Sequence, residues 1–101
     1  AIVLKPDFAE AHNNLGVTVQ EQSRLEEAIK SYKNAIDLKS DYTQAYYNLG
    51  TVLKERFRTE EAELNLRHAI ALKSDFPEAH NGLGAVLNSY HIDQYYRRFC
   101  S

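Results

Sequence analysis

The residue types that most often bind metals or act as nucleophiles are few and widely separated in this sequence of 101 residues. It has one cysteine, Cys100, and four histidines, which are His12, His68, His80 and His91. The histidines lack the short spacings of metal ligands, and Cys100 has no nearby histidine to activate it as a nucleophile. We therefore predict no metal site, no cofactor and no catalytic thiol.

Two further patterns resemble catalytic motifs but have a structural explanation. The acidic pairs Glu26-Glu27 and Glu60-Glu61 occupy the same place in successive stretches of the chain, where they suit the positive end of a helix better than acid–base catalysis. Gly82-Leu83-Gly84 falls inside a predicted helix, whereas a phosphate-binding loop would precede one. The sequence therefore predicts a chain that is not an enzyme.

The acidic pairs belong to an internal repeat of 34 residues. Ala1-Ile2-Val3-Leu4-Lys5 returns as Ala35-Ile36-Asp37-Leu38-Lys39 and again as Ala69-Ile70-Ala71-Leu72-Lys73, without a gap in register. Residues 1–34 and 35–68 are identical at 14 of 34 positions. Self-similarity at such a period indicates a solenoid, in which each unit buries its apolar face against its neighbours.

Each unit carries two stripes of apolar residues at the 3.6-residue period of an α-helix, so we predict two helices per unit. In the first unit the inward-facing residues are predicted to be Ala11, Leu15 and Val19 on one helix and Ala28, Tyr32, Ala35 and Ile36 on the other. Gly16 and Ala28 are expected to let the two backbones approach closely.

The helix starts are predicted from residues that cap free backbone amides. Asp7, Asp41 and Asp75 each stand three residues before a Glu or Gln, which marks the start of a first helix. Ser23-Arg24-Leu25-Glu26 has the pattern of a capping box for a second helix, and Thr59 begins a weaker counterpart.

Phe57 departs from the repeat, because it occupies the turn position that Ser23 fills in the first unit. Thr59 in turn replaces the apolar Leu25. We expect Phe57 and Thr59 to exchange roles, with Phe57 supplying the apolar contact. An exposed aromatic contact for a ligand is the alternative.

These residues resemble the tetratricopeptide (TPR) repeat family, whose unit is a helix-turn-helix of 34 residues. The resemblance rests on Leu15-Gly16, Ala28, Tyr32 and Ala35 and on their second-unit counterparts Leu49-Gly50, Ala62, Leu66 and Ala69. It implies an all-α, right-handed α-solenoid of antiparallel helix pairs with about two and a half to three repeats. We predict the end of a preceding second helix at 1–6 and units at 7–40, 41–74 and 75–101.

Stacked helix pairs curve and present a concave wall formed by the first helix of every unit. The stripe opposite the predicted inward face continues to Gln20, Glu21 and Glu55, and it is rich in amides and poor in charge at its centre. Amides both donate and accept, so such a wall suits the backbone of an extended peptide. The predicted peptide-binding residues are Asn13, Asn14, Val17, Gln44, Tyr47, Asn48, Thr51, Lys54, Glu78 and Asn81. The alternative is that these are merely polar residues on an exposed face.

The family resemblance refines this prediction. Asn14 and Asn48 each precede a Leu-Gly pair and match the asparagines that line the TPR arrays of O-GlcNAc transferases, whereas Gly82 interrupts that ladder. Co-chaperones of the family instead hold a chaperone's C-terminal carboxylate in a basic clamp, of which only Asn48 is present. The resemblance therefore favours an asparagine-lined groove over a carboxylate clamp.

The third unit begins like the others and then diverges. Residues 69–88 share 11 of 20 positions with 35–54, but 89–101 share none of 13 with 55–67. Tyr96 replaces the Ala28 and Ala62 of the earlier units, so a second helix cannot pack there unchanged. We expect a short amphipathic helix starting near Asp93 that caps the solenoid; a docking tail or a disordered end are the alternatives.

The remaining predictions concern partners and location. Twelve basic and fourteen acidic residues give a net charge of −2, which disfavours nucleic acid, and no leader or membrane span is apparent, so we expect a cytoplasmic protein. We predict a scaffold that binds a protein or peptide partner. The alternatives are the substrate-recruiting segment of a larger enzyme, such as a glycosyltransferase, and a homo-oligomer formed by end-to-end stacking or helix exchange.

Overall fold

The structure, a computed structural model, describes residues 8–99 and contains five helices and no strand in that range. The helices are α1 (Phe8–Glu21), α2 (Leu25–Leu38), α3 (Thr43–Glu55), α4 (Thr59–Leu72) and α5 (Pro77–Phe99). The bounds of α4 are those of α2 shifted by one repeat of 34 residues. The predicted segment 1–6, the Asp7 cap and Cys100 lie outside the described residues.

The helices pack as antiparallel pairs that stack on one another. Helix α1 pairs with α2 and α3 with α4, while α2 packs on α3 and α4 on α5. The first helices also touch in sequence, α1 with α3 and α3 with α5. The predicted all-α solenoid is therefore confirmed, and the chain extends 67 Å along its longest axis.

The core lies between the paired helices. Ala28, Tyr32 and Ala35 of α2 are fully buried, as the apolar stripe predicts, and so are Ala62, Leu66 and Ala69 of α4. A methyl group on Gly16 would lie 2.5 Å from the Tyr32 ring. Gly16 thus makes room for a large side chain rather than for the backbone beside Ala28.

The predicted inward face of α1 is wrong at two of its three positions. Val19 is buried, but Ala11 is exposed and Leu15 is 50% exposed. The equivalent Ala45 and Leu49 of α3 are buried, because α3 packs on α2 as well as on α4. Among residues 8–99 no helix precedes α1, and its buried residues are instead Ala9, Asn13, Gly16 and Val19.

The predicted caps are also wrong where the structure describes them. Helices α2, α3 and α4 follow Arg24, Tyr42 and Arg58, none of which makes a side-chain capping hydrogen bond. Ser23 has a φ of 63°, in the left-handed region, so it ends α1 instead of starting α2. The Arg24 amide then donates to the Val19 carbonyl at 2.9 Å, which is the long bond of a Schellman turn.

Phe57 does not supply the apolar contact expected of it. It repeats the left-handed turn of Ser23 with a φ of 62°, and its side chain is 89% exposed. The Arg58 amide donates to the Leu53 carbonyl at 2.9 Å, as Arg24 does to Val19. The turn fixes the direction of the side chain, and it points Phe57 away from the core.

Between residues 75 and 99 the third unit has no separate second helix. Helix α5 runs for 23 residues and continues through His91, the position at which Ser23 and Phe57 turn the chain in the earlier units. The expectation of a new helix near Asp93 is therefore wrong.

No helix within residues 8–99 is apolar over enough of its length to cross a membrane.

Candidate peptide-binding wall

The first helices α1, α3 and α5 form one wall of the solenoid, and all ten predicted site residues lie on them. Four of the ten, Val17, Tyr47, Asn48 and Thr51, line a groove of about 480 Å³ between α1 and α3. Glu78 and Asn81 are exposed on α5 and do not line it. The groove therefore belongs to the first two units.

A chain of amides connects α1 to α3 at the edge of this groove. Asn48 donates from Nδ2 to Asn13 Oδ1 at 3.0 Å, and Gln44 donates from Nε2 to Asn48 Oδ1 at 3.1 Å. Asn13 is buried, at 5% exposure, so its contact with Asn48 replaces contact with solvent. These bonds hold the half-buried Asn48 in a fixed orientation.

A second hydrogen-bonded chain forms the other end of the groove. Tyr32 donates from its hydroxyl to Gln20 Oε1 at 2.6 Å, and Gln20 donates from Nε2 to Glu55 Oε1 at 3.1 Å. Burial raises the pKa of Tyr32 to about 12, with further contributions from the nearby carboxylates of Glu55 and Glu21. This end of the groove therefore carries two carboxylates.

Several predicted site residues also serve the fold. Tyr47 packs on Phe76 with ring centroids 5.1 Å apart, and Thr51 donates its hydroxyl to the Asn48 carbonyl at 2.8 Å. Both are half-buried. Asn14 and Lys54, by contrast, are exposed. The alignment of Asn14 with Asn48 is thus a match in sequence position but not in environment.

The sequence pattern identifies Tyr32 as a core residue only, although its hydroxyl lines the groove. Its ring fills the space beside Gly16, and its hydroxyl donates to Gln20 at the end of the groove. The sequence signal for this second role is a tyrosine at the position where the second unit has Leu66, because a hydroxyl group at a buried position needs a polar partner.

The rest of the described chain offers little to bind a metal. No group of three or more His, Cys, Asp or Glu is arranged around a common point within residues 8–99. His80 donates from Nε2 to the Ser74 carbonyl at 2.9 Å, as the Tyr46 hydroxyl donates to the Ser40 carbonyl at 3.0 Å. His68 stacks on Tyr46. These two histidines are therefore used in packing.

The sequence matches two family profiles. Residues 20–56 match one described as TPR repeat, and residues 43–76 match one described as tetratricopeptide repeat. No curated protein matches the sequence. Among solved structures, a Thermobaculum terrenum O-GlcNAc transferase carrying the mutation K341M is similar, with a TM-score of 0.77 and 33% identity. The match covers 81% of this chain and 16% of that one, so the chain spans a small part of the length of that transferase.

Proposed function

Because this chain belongs to the tetratricopeptide repeat family, we propose that it is a non-catalytic scaffold that binds an extended peptide in the groove between α1 and α3. Repeats of this family generally mediate protein–protein interaction. The observation that carries the proposal is the fixed amide of Asn48 at the edge of the groove. It provides polar contacts that need no reorganisation on binding.

The amide of Asn48 retains hydrogen-bonding capacity for a peptide. A carboxamide has two N–H donors and two acceptor lone pairs, and one of each is used by Asn13 and Gln44. One N–H and one lone pair remain, which is what a single peptide group of an extended chain requires. Since Asn48 is already oriented, little side-chain entropy is lost when the peptide binds.

The two ends of the groove favour different side chains on the peptide. Val17 and Tyr47 present apolar surface, whereas Glu21 and Glu55 place negative charge at the end near Tyr32. We therefore expect a bound segment to carry an apolar residue followed or preceded by a lysine or arginine. Charge attraction of this kind contributes more to the rate of association and to specificity than to affinity.

A peptide library displayed on phage tests the proposal without knowledge of the natural partner. Peptides selected on the chain are synthesised, and their affinities for the parent and for Asn48→Ala are measured by fluorescence anisotropy. We expect the substitution to weaken binding by about 1–3 kcal/mol, the scale for a lost buried hydrogen bond.

The matched control is Asn65→Ala. Asn65 lies on α4, away from the groove, and donates to the Glu61 carbonyl of its own helix at 2.8 Å. It should leave the affinity unchanged. Selected peptides that bind Asn48→Ala as tightly as the parent would contradict a site in this groove.

The similarity to an O-GlcNAc transferase favours a second candidate function, in which this chain recruits a substrate for an enzyme. The groove and its peptide chemistry would be the same, and the catalytic groups would lie in another domain. The presence of a glycosyltransferase domain in the full-length protein would distinguish this candidate from a free-standing scaffold.

A further inference from the structure

One face of α5 lacks the helix that covers the same face in the other two units. A methyl group on Gly16 would lie 2.5 Å from the Tyr32 ring, and one on Gly50 would lie 2.7 Å from Leu66 Cγ. At the equivalent Gly84 nothing lies within 4 Å. Within residues 8–99, α5 therefore carries an empty packing site for a large apolar side chain.

Leu87, one turn further along α5, is also left uncovered. It is 38% exposed, whereas its counterparts Val19 and Leu53 are 5% and 0% exposed. Both counterparts are covered by the second helix of their own unit, α2 or α4. The uncovered surface is thus the face that a paired helix normally buries.

The tail of α5 is poorly suited to fold back and fill this site. Tyr96 stands where the second unit has Ala62, whose carbonyl oxygen would lie 3.4 Å from a methyl on Gly50. A tyrosine at such a close approach would hold the two helices apart. The tail instead continues as part of α5 to Phe99 and lengthens the exposed face.

This open face of α5 comprises residues at helical spacing on one side of the helix, namely Gly84, Leu87, Asn88, His91, Ile92 and Tyr95. None of the six is Asp, Glu, Lys or Arg. Ile92 and Tyr95 are 51% and 61% exposed, and with His91 and Tyr96 they line a hollow of about 580 Å³. An exposed apolar stripe of this kind is characteristic of an interaction surface.

The open face is complementary to itself when two copies of α5 run antiparallel. A twofold axis between Ser89 and Tyr90 brings Tyr95 opposite Gly84, Ile92 opposite Leu87, and His91 opposite Asn88, each pair occurring twice. The pairing of a tyrosine with a glycine repeats the internal contact of Tyr32 with Gly16.

We propose that the open face of α5 binds the same face of a second copy, forming a twofold dimer in which Tyr95 covers Gly84 of the partner subunit. None of the six residues is Asp, Glu, Lys or Arg. Arg98 lines a hollow with His91 and Tyr95, and the same twofold axis places it opposite Asn81 of the partner subunit, so like charges do not oppose each other across the contact. A twofold contact uses the same surface on both copies and closes, which limits the assembly to a dimer. The proposal is independent of peptide binding, since it uses none of the groove residues.

Sedimentation equilibrium of the chain over a wide range of concentration tests this proposal. We expect a monomer–dimer equilibrium. Gly84→Leu should raise its dissociation constant at least about tenfold, because the leucine side chain would fill the space that the partner's Tyr95 occupies in the dimer. Tyr95→Ala should have a similar effect. Neither should reduce helicity, because Gly84 faces open space and Tyr95 is exposed. The control is Leu64→Ala, which removes a side chain 69% exposed on α4 and should leave the equilibrium unchanged.

Disulfide trapping in a Cys100→Ser background tests the geometry. Positions 84 and 95 are about 16 Å apart along one helix, so a Gly84→Cys chain and a Tyr95→Cys chain can reach each other across the proposed axis, whereas two identical chains cannot. An equimolar mixture should therefore form the mixed disulfide in preference to either symmetric one. A chain that stays monomeric at every concentration, a dimer insensitive to both substitutions, or a preference for symmetric disulfides would overturn the proposal.

Discussion

Tyr32 shows how one residue links packing to the groove. Its ring is fully buried between α1 and α2, and its hydroxyl donates to Gln20, which in turn donates to Glu55 of the next unit. The neutral form of the phenol is favoured in the folded chain, because burial and two carboxylates raise its pKa to about 12. Stability should consequently depend on pH through this residue.

Tyr32→Phe provides the test. At pH 8 the phenol is neutral in both states, and the variant should be less stable by about 0.5–1.5 kcal/mol because it loses the hydrogen bond to Gln20. As the pH rises from 10 towards 12, the unfolded parent ionises first and is stabilised, so the parent loses stability that the variant keeps. Urea unfolding at pH 8 and above pH 11 should show the difference shrinking. A difference that stays constant would contradict the raised pKa.

The repeat predicts four of the residues that line the groove, but it does not predict the hydrogen bonds between them. Asn48 was predicted as a contact residue because of its place before Leu49-Gly50. Its bond to Asn13 depends on the offset between α1 and α3, and a sequence without coordinates does not specify that offset. The burial of Asn13 went unpredicted for the same reason.

At the level of helices, the three equivalent glycines have different surroundings. Gly50 lies against Leu66, whereas Gly84 faces open space. A glycine that recurs at the same position of every unit is therefore not required by close packing in every unit. A glycine inside a helix costs about 1 kcal/mol relative to alanine, and only a close neighbour justifies that cost.

Alanine substitution should affect the glycines in opposite directions. Gly50→Ala should destabilise the chain by about 1–3 kcal/mol, because the methyl group would overlap Leu66. Gly84→Ala should stabilise it by up to about 1 kcal/mol through helix propensity alone. Both are measured by thermal unfolding at low concentration, where the chain is monomeric. Equal losses at the two positions would show that a helix does cover Gly84.

The number and position of the first four helices could be predicted from the apolar period, but their ends could not. Ser23 and Phe57 end α1 and α3 by adopting left-handed backbone without glycine, which no capping motif signals. The continuity of α5 was also missed. Residues 69–88 match the second unit closely, and whether a helix stops or continues beyond them depends on whether a partner helix packs against it.

At the scale of the whole molecule, contacts pass from each unit to the next. Helix α3 packs on α2 and α4, and helix α4 packs on α3 and α5. The end of α5 beyond Tyr90 extends past both. The repeat predicts this linear arrangement. In such an array stability is a sum of unit and neighbour contributions, so it should be greatest in the middle.

Amide hydrogen exchange along α5 tests this gradient and its dependence on association. At low concentration, residues 79–90 should be protected, because Ala79 and Val86 are fully buried and Tyr90 packs against the core. Residues 91–98 should exchange with opening free energies near zero, since their described side chains are exposed. If α5 pairs with a second copy, protection of 91–98 should rise with concentration in the parent and stay low in Gly84→Leu. Uniform protection of α5 at low concentration would instead mean that the tail packs within its own chain.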